Sequence, residues 1–186
     1  YGNIYSKFSN TSECNLKLKN FYKPYIEPEI SFRIKEDINI NKKNLKISDA
    51  NFLFDAMIPS IEIVDFRFDE DIKKAGVNNI IASNAASEYW IRSKDTFLIN
   101  EIDMEDHKVD LYIDNVIADS GNTNLVLDNP INSAIWLLNK LSDIGEPMLK
   151  GQFISTGTCT KAIQINKKCK ITADFGNLNK VEIEFI

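Results

Sequence analysis

Apolar and polar residues alternate along most of this 186-residue chain in the short runs expected of β-strands. Over residues 25–34, Ile26, Ile30, Phe32 and Ile34 recur at even positions and are β-favouring types, which predicts a strand. Residues 61–68 alternate as well, with Ile61 and Ile63 on one face and Glu62, Val64, Phe66 and Phe68 on the other. Asp65 and Arg67 share a face and read as an ion pair or a polar surface. Between the two runs, Ala50, Leu53, Phe54 and Met57 recur at i, i+3, i+4 and i+7. That spacing predicts a helix over 48–57 with Ser48 as N-cap, stopped before Pro59, and a polar turn at 39–44 precedes it.

Residues 1–20 are polar, with one short alternation at Leu16-Lys17-Leu18. A short helix over 69–76 is closed by Gly76, and the small-residue stretch 78–87 has no clear period. Strands are predicted at 88–92, 95–99, 109–117 and 125–127, the last two flanking a hairpin turn at 118–122. The clearest helix begins at Asn129-Pro130, a cap followed by proline in the first turn. Its stripe is Ile131, Ala134, Ile135, Leu138 and Leu141, and Gly145 marks its end. Trp136 and Leu137 widen the apolar face, so this helix is expected to lie over a sheet. Strands at 153–156, 162–165, 170–175 and 181–185 follow, split by turns at 166–168 and 176–177.

The length suits one domain, and 44% hydrophobic with 26% charged residues is ordinary for a globular chain. No apolar run approaches the ~20 residues of a membrane helix, so no membrane partner is expected. A net charge of −5 with lysines scattered among acids leaves no basic stripe, which argues against nucleic acid and for a small-molecule partner. Cys14, Cys159 and Cys169 form no Cys-x-x-Cys pair, which speaks against a disulfide framework or thiolate zinc site and fits a reducing cytoplasm. The single histidine, His107, lies in the charged run Glu105-Asp106-His107-Lys108 and reads as exposed. Chemistry that needs a placed imidazole is thereby disfavoured. The chain opens at Tyr1 with neither an initiator Met nor a signal-peptide pattern and reads as part of something longer.

Candidate chemistry centres on Glu27-Pro28-Glu29. In an extended strand these two carboxylates point the same way, roughly 7 Å apart along the chain. They are either a solvated strand face or ligands of a hard divalent cation such as Mg²⁺ or Mn²⁺. Glu62 shares its face with Val64, Phe66 and Phe68, where a carboxylate is costly unless paired or metal-bound, and it is the candidate third ligand. Pro28 lacks a donor, so it is expected at an edge, at the strand's first residues or at a bulge. The hydroxyl-rich segment 156–161, with Gly157 and Thr158, reads either as a carboxylate-binding loop or as a solvent-facing turn.

Taken in order, these motifs resemble the 2-keto-4-pentenoate hydratase group of the fumarylacetoacetate hydrolase superfamily, which also holds the 4-oxalocrotonate decarboxylases. The resemblance rests on Tyr1-Gly2, Glu27-Pro28-Glu29-Ile30-Ser31-Phe32, the run from Ile58-Pro59 through Glu62 to Phe66-Arg67, and Asn84-Ala85-Ala86-Ser87. It continues through Asn129-Pro130, Trp136-Leu137-Leu138, Gly145-Glu146-Pro147 and Thr156-Gly157-Thr158, and so covers essentially the whole chain. It implies an α+β, mainly β, fold: a mixed sheet rolled into a distorted sandwich or barrel with a few packed helices. Residues 1–186 would form a single catalytic domain lacking an N-terminal region. It further implies Mg²⁺ or Mn²⁺ on Glu27, Glu29 and Glu62, and a 2-hydroxy- or 2-oxo-dienoic acid substrate near Gly157, Thr158 and Ser83. The implied activity is hydration of 2-hydroxypenta-2,4-dienoate or a related acid. The alternatives are 2-oxo acid decarboxylation and a non-catalytic scaffold. A homo-oligomer is the family habit. Ser83 stands where the family usually has Asp, and the family's proposed catalytic lysine falls before Tyr1.

Overall fold

The structure is a computed structural model that describes residues 1–38, 44–69 and 72–186. Along it run β1 (Ser9–Thr11), β2 (Cys14–Leu16), β3 (Pro24–Ile34), α1 (Ala50–Leu53), β4 (Phe54–Asp65), α2 (Ile72–Ala75), α3 (Val77–Ala82) and β5 (Ser87–Arg92). They continue as β6 (Lys108–Ile113), β7 (Val116–Asn122), α4 (Pro130–Ile144), β8 (Phe153–Thr158), β9 (Ile163–Gln164), β10 (Cys169–Asp174) and β11 (Lys180–Phe185). One sheet has the order β1-β5-β4-β3-β8, with β9 also on β3, and the other β2-β11-β10-β6-β7. Both are mixed, because β1 joins β5 and β2 joins β11 in parallel while the remaining pairs are antiparallel. The described strands close no barrel.

The long β3–β4 ladder organises the first sheet because its residues separate cleanly onto two faces. Ile26, Ile30, Phe32 and Ile34 on β3 and Met57, Ile61 and Ile63 on β4 are fully buried. They belong to one core with Leu111, Ile171, Ala173, Val181, Ile183 and Phe185 of the second sheet. Each large side chain buried there contributes roughly 1.5–3 kcal/mol. The opposite face carries Glu27, Glu29 and Ser31 beside Ser60 and Glu62, and it faces a cleft. Along one flank lies α4, capped by the Asn129 side chain on the Ile131 N–H and closed by left-handed Gly145, as its stripe predicts. Ile131, Ala134, Ile135 and Leu138 are buried, and Ser133 Oγ donates to the Thr156 carbonyl of β8 at 2.7 Å.

Several local expectations change. In place of a helix over 48–57 there is one turn, α1, before β4 begins at Phe54. Phe54 and Met57 are buried, as their spacing implied, but Met57 pairs with Phe32 on one side and Phe97 on the other. Pairing on both sides outweighs helical spacing in so short an apolar run. Residues 95–99 supply only that single bridge at Phe97 before a 3₁₀ turn at Ile99–Glu101. The hairpin turns at Asp114-Asn115, both with positive φ, so 118–122 is strand and Leu125 lies in a 3₁₀ turn. Asn at a two-residue turn was the hairpin cue, and Gly121 was a misleading one. A Cβ on Gly121 would lie 2.0 Å from the Cys159 carbonyl, so this glycine serves a close approach of loop to strand.

Pro28 is interior to the sheet rather than at an edge, next to the β3–β8 register irregularity between Glu29 and Ser31. Asp65 and Arg67 make no pair with each other. Asp65 accepts the backbone N–H groups of Tyr22 and Lys23, and Arg67 pairs with Glu88. The predicted turn at 39–44 lies, apart from Asn44, outside the described residues, as do Glu70 and Asp71 of the helix predicted over 69–76. That helix is otherwise seen as α2, followed by Gly76.

Candidate metal centre

Glu27 and Glu62 stand opposite one another across β3 and β4, and Glu29 follows two residues on, opposite Ser60. Each of the three side chains brings a carboxylate oxygen within 4.8 Å of the other two. Glu29 is 1% exposed, and Glu27 and Glu62 are half-buried. One Glu29 oxygen, Oε2, accepts the Gly157 N–H at 3.0 Å and the Ser155 hydroxyl. Gly157 has φ +119°, a conformation that glycine adopts without strain, and this turns its amide onto the carboxylate. Behind Glu29, the Ser31 and Ser60 hydroxyls lie 2.7 Å apart and Ser31 Oγ donates to Ser155 Oγ at 3.1 Å. The Trp90 indole N–H donates to Ser31 at 3.3 Å. The network holds one carboxylate in a fixed orientation.

The electrostatics are those of a cluster without a counter-charge. Burial, then the neighbouring Glu62, pushes Glu27 up to about 7. Glu29 is pushed well above the ordinary carboxylate range by burial and by both neighbours, against the opposing pull of Ser155 and Gly157. Burial also raises Glu62, opposed by the Ser87 hydroxyl. Among the described residues no Lys or Arg forms an ion pair with any of the three. An all-oxygen set of this kind suits a hard divalent cation, whose charge would relieve the repulsion.

The cleft holds about 1130 Å³. The three glutamates, Ser87, Ser155 and Gly157 line its floor, and Trp90, Arg92 and Phe153 form one wall. Trp136, Leu137, Leu141 and Ile144 of α4 form another. Of the residues expected near a substrate, Gly157 lines the cleft. Thr158 turns its hydroxyl to the Thr160 carbonyl, and Ser83 bonds the Ile80 carbonyl at the end of α3. Neither is part of the lining. His107, expected to be exposed, is instead half-buried just before β6, with Nε2 2.8 Å from the Phe175 carbonyl. Cys159 is buried, with its thiol pushed up to about 12 by burial and then by Glu29, which removes it as a nucleophile. Sequence reasoning missed Ser31, Ser60, Ser155, Trp90 and Arg92. Alternation had marked Ser31 and Ser60, since each is two residues from a candidate ligand on the same face.

No protein-family model matches the chain. It is 25% identical over its whole length to the 2-keto-4-pentenoate hydratase of Paraburkholderia phymatum, covering 69% of that protein. The 4-oxalocrotonate decarboxylase of Pseudomonas putida G7, solved with magnesium and adipate, superposes with a TM-score of 0.90 at 26% identity. The superposition covers all of this chain and 69% of that one. The chain is a homologue of these enzymes. Its fold is also that of the Pseudomonas aeruginosa fumarylpyruvate hydrolase, which matches with a TM-score of 0.63 over 96% of this chain at 9% identity. The mixed-sheet, fumarylacetoacetate hydrolase-like architecture expected from the sequence is therefore the one observed, as two open sheets.

Proposed function

We propose that this protein is a metal-dependent hydratase of 2-hydroxypenta-2,4-dienoate or a related short dienoic acid, with Mg²⁺ or Mn²⁺ held by Glu27, Glu29 and Glu62. The observation that carries the reading is the convergence of three carboxylates within 4.8 Å on a desolvated cleft floor without a cationic partner among the described residues. When bound, the cation supplies Lewis acidity that stabilises enolate charge on a chelating 2-oxo acid. The protein's part is to bind and orient. Ser155 and the Gly157 amide fix Glu29, and Ser87 holds Glu62. Trp90 and Phe153 pack against each other and give the cleft an aromatic lining. Among the described residues no lysine or histidine lines the cleft, and none is assigned a proton transfer.

Decarboxylation of a 4-oxalocrotonate-type acid is the second reading, favoured by the TM-score of 0.90 to a decarboxylase. Incubating the protein and Mn²⁺ with the dienoate, while following its ultraviolet absorbance and assaying products, separates the two. A 4-hydroxy-2-oxo acid supports hydration, CO₂ alone overturns it for decarboxylation, and no turnover with either acid overturns both for a scaffold. The three unpaired cysteines support a reducing, cytoplasmic setting. No helix among the described residues is long and apolar enough to cross a membrane. Exposed Val116 and Ile117 on the edge strand β7, with exposed Trp136 on α4, support assembly into a homo-oligomer, which light scattering would measure.

A further inference from the structure

Trp90 stands on the carboxylate face of β5, opposite Glu62, which is in turn opposite Glu27. Its indole N–H nevertheless ends on β3, where it donates to Ser31 Oγ at 3.3 Å. β5 and β3 are two inter-strand spacings apart, about 10 Å, so this bond needs a side chain long enough to cross β4. Ser60, small and fully buried on the same face of β4, leaves room for the crossing. Phe153 packs against the indole with centroids 5.1 Å apart, and the Arg92 guanidinium lies over Phe153 at 5.5 Å from its centroid. The stack fixes the ring, and with it the direction of the N–H.

An indole N–H can only donate, so Ser31 Oγ is the acceptor there and its own proton points onward. Ser31 donates to Ser155 Oγ at 3.1 Å, and Ser155 donates to Glu29 Oε2. Ser60 bridges Ser31, at 2.7 Å, and the Glu29 carbonyl, at 3.2 Å, so both branches end on Glu29. The chain runs in one direction, from Trp90 to the carboxylate, and hydrogen bonds aligned in this way polarise and strengthen one another. With the Gly157 N–H also on Oε2, both lone pairs of that oxygen are taken. Oε1 accepts no hydrogen bond among the described residues and is the oxygen left for a cation.

We propose that Trp90 is a positioning residue for the metal centre: acting through Ser31 and Ser155, its indole N–H holds Glu29 turned so that Oε1 is presented to the cation. This rests on the metal-site reading above. The residue that gives the cleft its aromatic lining thereby also sets how tightly the centre holds its ion.

The test is Mn²⁺ affinity, read by electron paramagnetic resonance, in a double-mutant cycle of Trp90→Phe and Ser31→Ala. Trp90→Phe keeps an aromatic ring against Phe153 and removes only the donor. It is expected to weaken Mn²⁺ binding about threefold to tenfold, the scale of one hydrogen bond, with circular dichroism unchanged. In the Ser31→Ala background the same substitution is expected to have no further effect, because the chain is already cut. Unchanged affinity in Trp90→Phe, or an equal loss in both backgrounds, assigns Trp90 to packing and overturns the proposal while native Mn²⁺ binding leaves the centre standing. Absence of Mn²⁺ binding in the native protein overturns both. Should Ser31→Ala fail to fold, Ser155→Ala takes its place in the cycle with the same expectations. Should Trp90→Phe fail to fold, the Trp90 indole N–H resonance decides: saturating Mg²⁺ is expected to shift it in the native protein and less in Ser155→Ala, and equal shifts overturn the link.

Discussion

Raising the pH should destabilise the metal-free protein, and Mn²⁺ should reverse the trend. Glu27 is pushed from its ordinary 4.5 up to about 7, chiefly by burial, and Glu29 and Glu62 move the same way. A carboxyl whose folded pKa exceeds its unfolded value keeps its proton longer in the folded state. Its favourable contribution is complete below about 4.5 and is lost as pH climbs through about 7. At about 1.36 kcal/mol per unit, Glu27 alone accounts for about 3 kcal/mol. Solvent contact and coupling to Glu62 reduce that to about 2 kcal/mol, or roughly 4–8 °C in Tm for a chain of this size. Saturating Mn²⁺ at 100 times its Kd adds back about 2.7 kcal/mol, and only where the carboxylates are ionised. Thermal melts at pH 5, 6, 7 and 8, with and without Mn²⁺, read both effects. A metal-free Tm that is flat or rising over that range, or a Mn²⁺ shift as large at pH 5 as at pH 8, would refute the reasoning.

Glu62→Gln should abolish the Mn²⁺-induced rise in Tm while making the metal-free protein more stable at pH 8, because it removes a repelling charge. Ser155→Ala takes one hydrogen bond from Glu29 and should weaken Mn²⁺ binding by about tenfold in a competition titration, with little change in fold. Asn129→Ala removes the cap on the Ile131 N–H and should lower Tm by about 2–4 °C, corresponding to about 1 kcal/mol. Gly157→Ala forces a side chain into φ +119° and should cost about 1–3 kcal/mol, along with weaker Mn²⁺ binding.

The strands with strict alternation and the capped helix were readable because local pattern and tertiary role agree there. Ile26, Ile30, Phe32 and Ile34 face the core as their spacing requires, and Asn129, Pro130 and Gly145 bound α4. The reading failed where one run satisfies two periods. Leu53, Phe54 and Met57 fit a helix stripe, yet β3 and Phe97 take the last two into a ladder. Glu27, Glu29 and Glu62 could be singled out because acidic residues in β-favouring surroundings demand a reason. Ser155 and Arg92 could not, since an isolated serine or arginine carries no such demand until pairing sets it beside a carboxylate or an aromatic ring. Thr158 and Ser83 illustrate the converse, with hydroxyls that bond nearby carbonyls.

The most direct measurement of the central claim is the stoichiometry of Mn²⁺ binding followed by electron paramagnetic resonance, on the native protein and on Glu29→Gln. One tightly held Mn²⁺ per chain in the native protein, lost in Glu29→Gln while circular dichroism shows the fold intact, is the predicted result. No bound Mn²⁺ in the native protein, or one retained unchanged in the variant, would contradict the assignment of this centre.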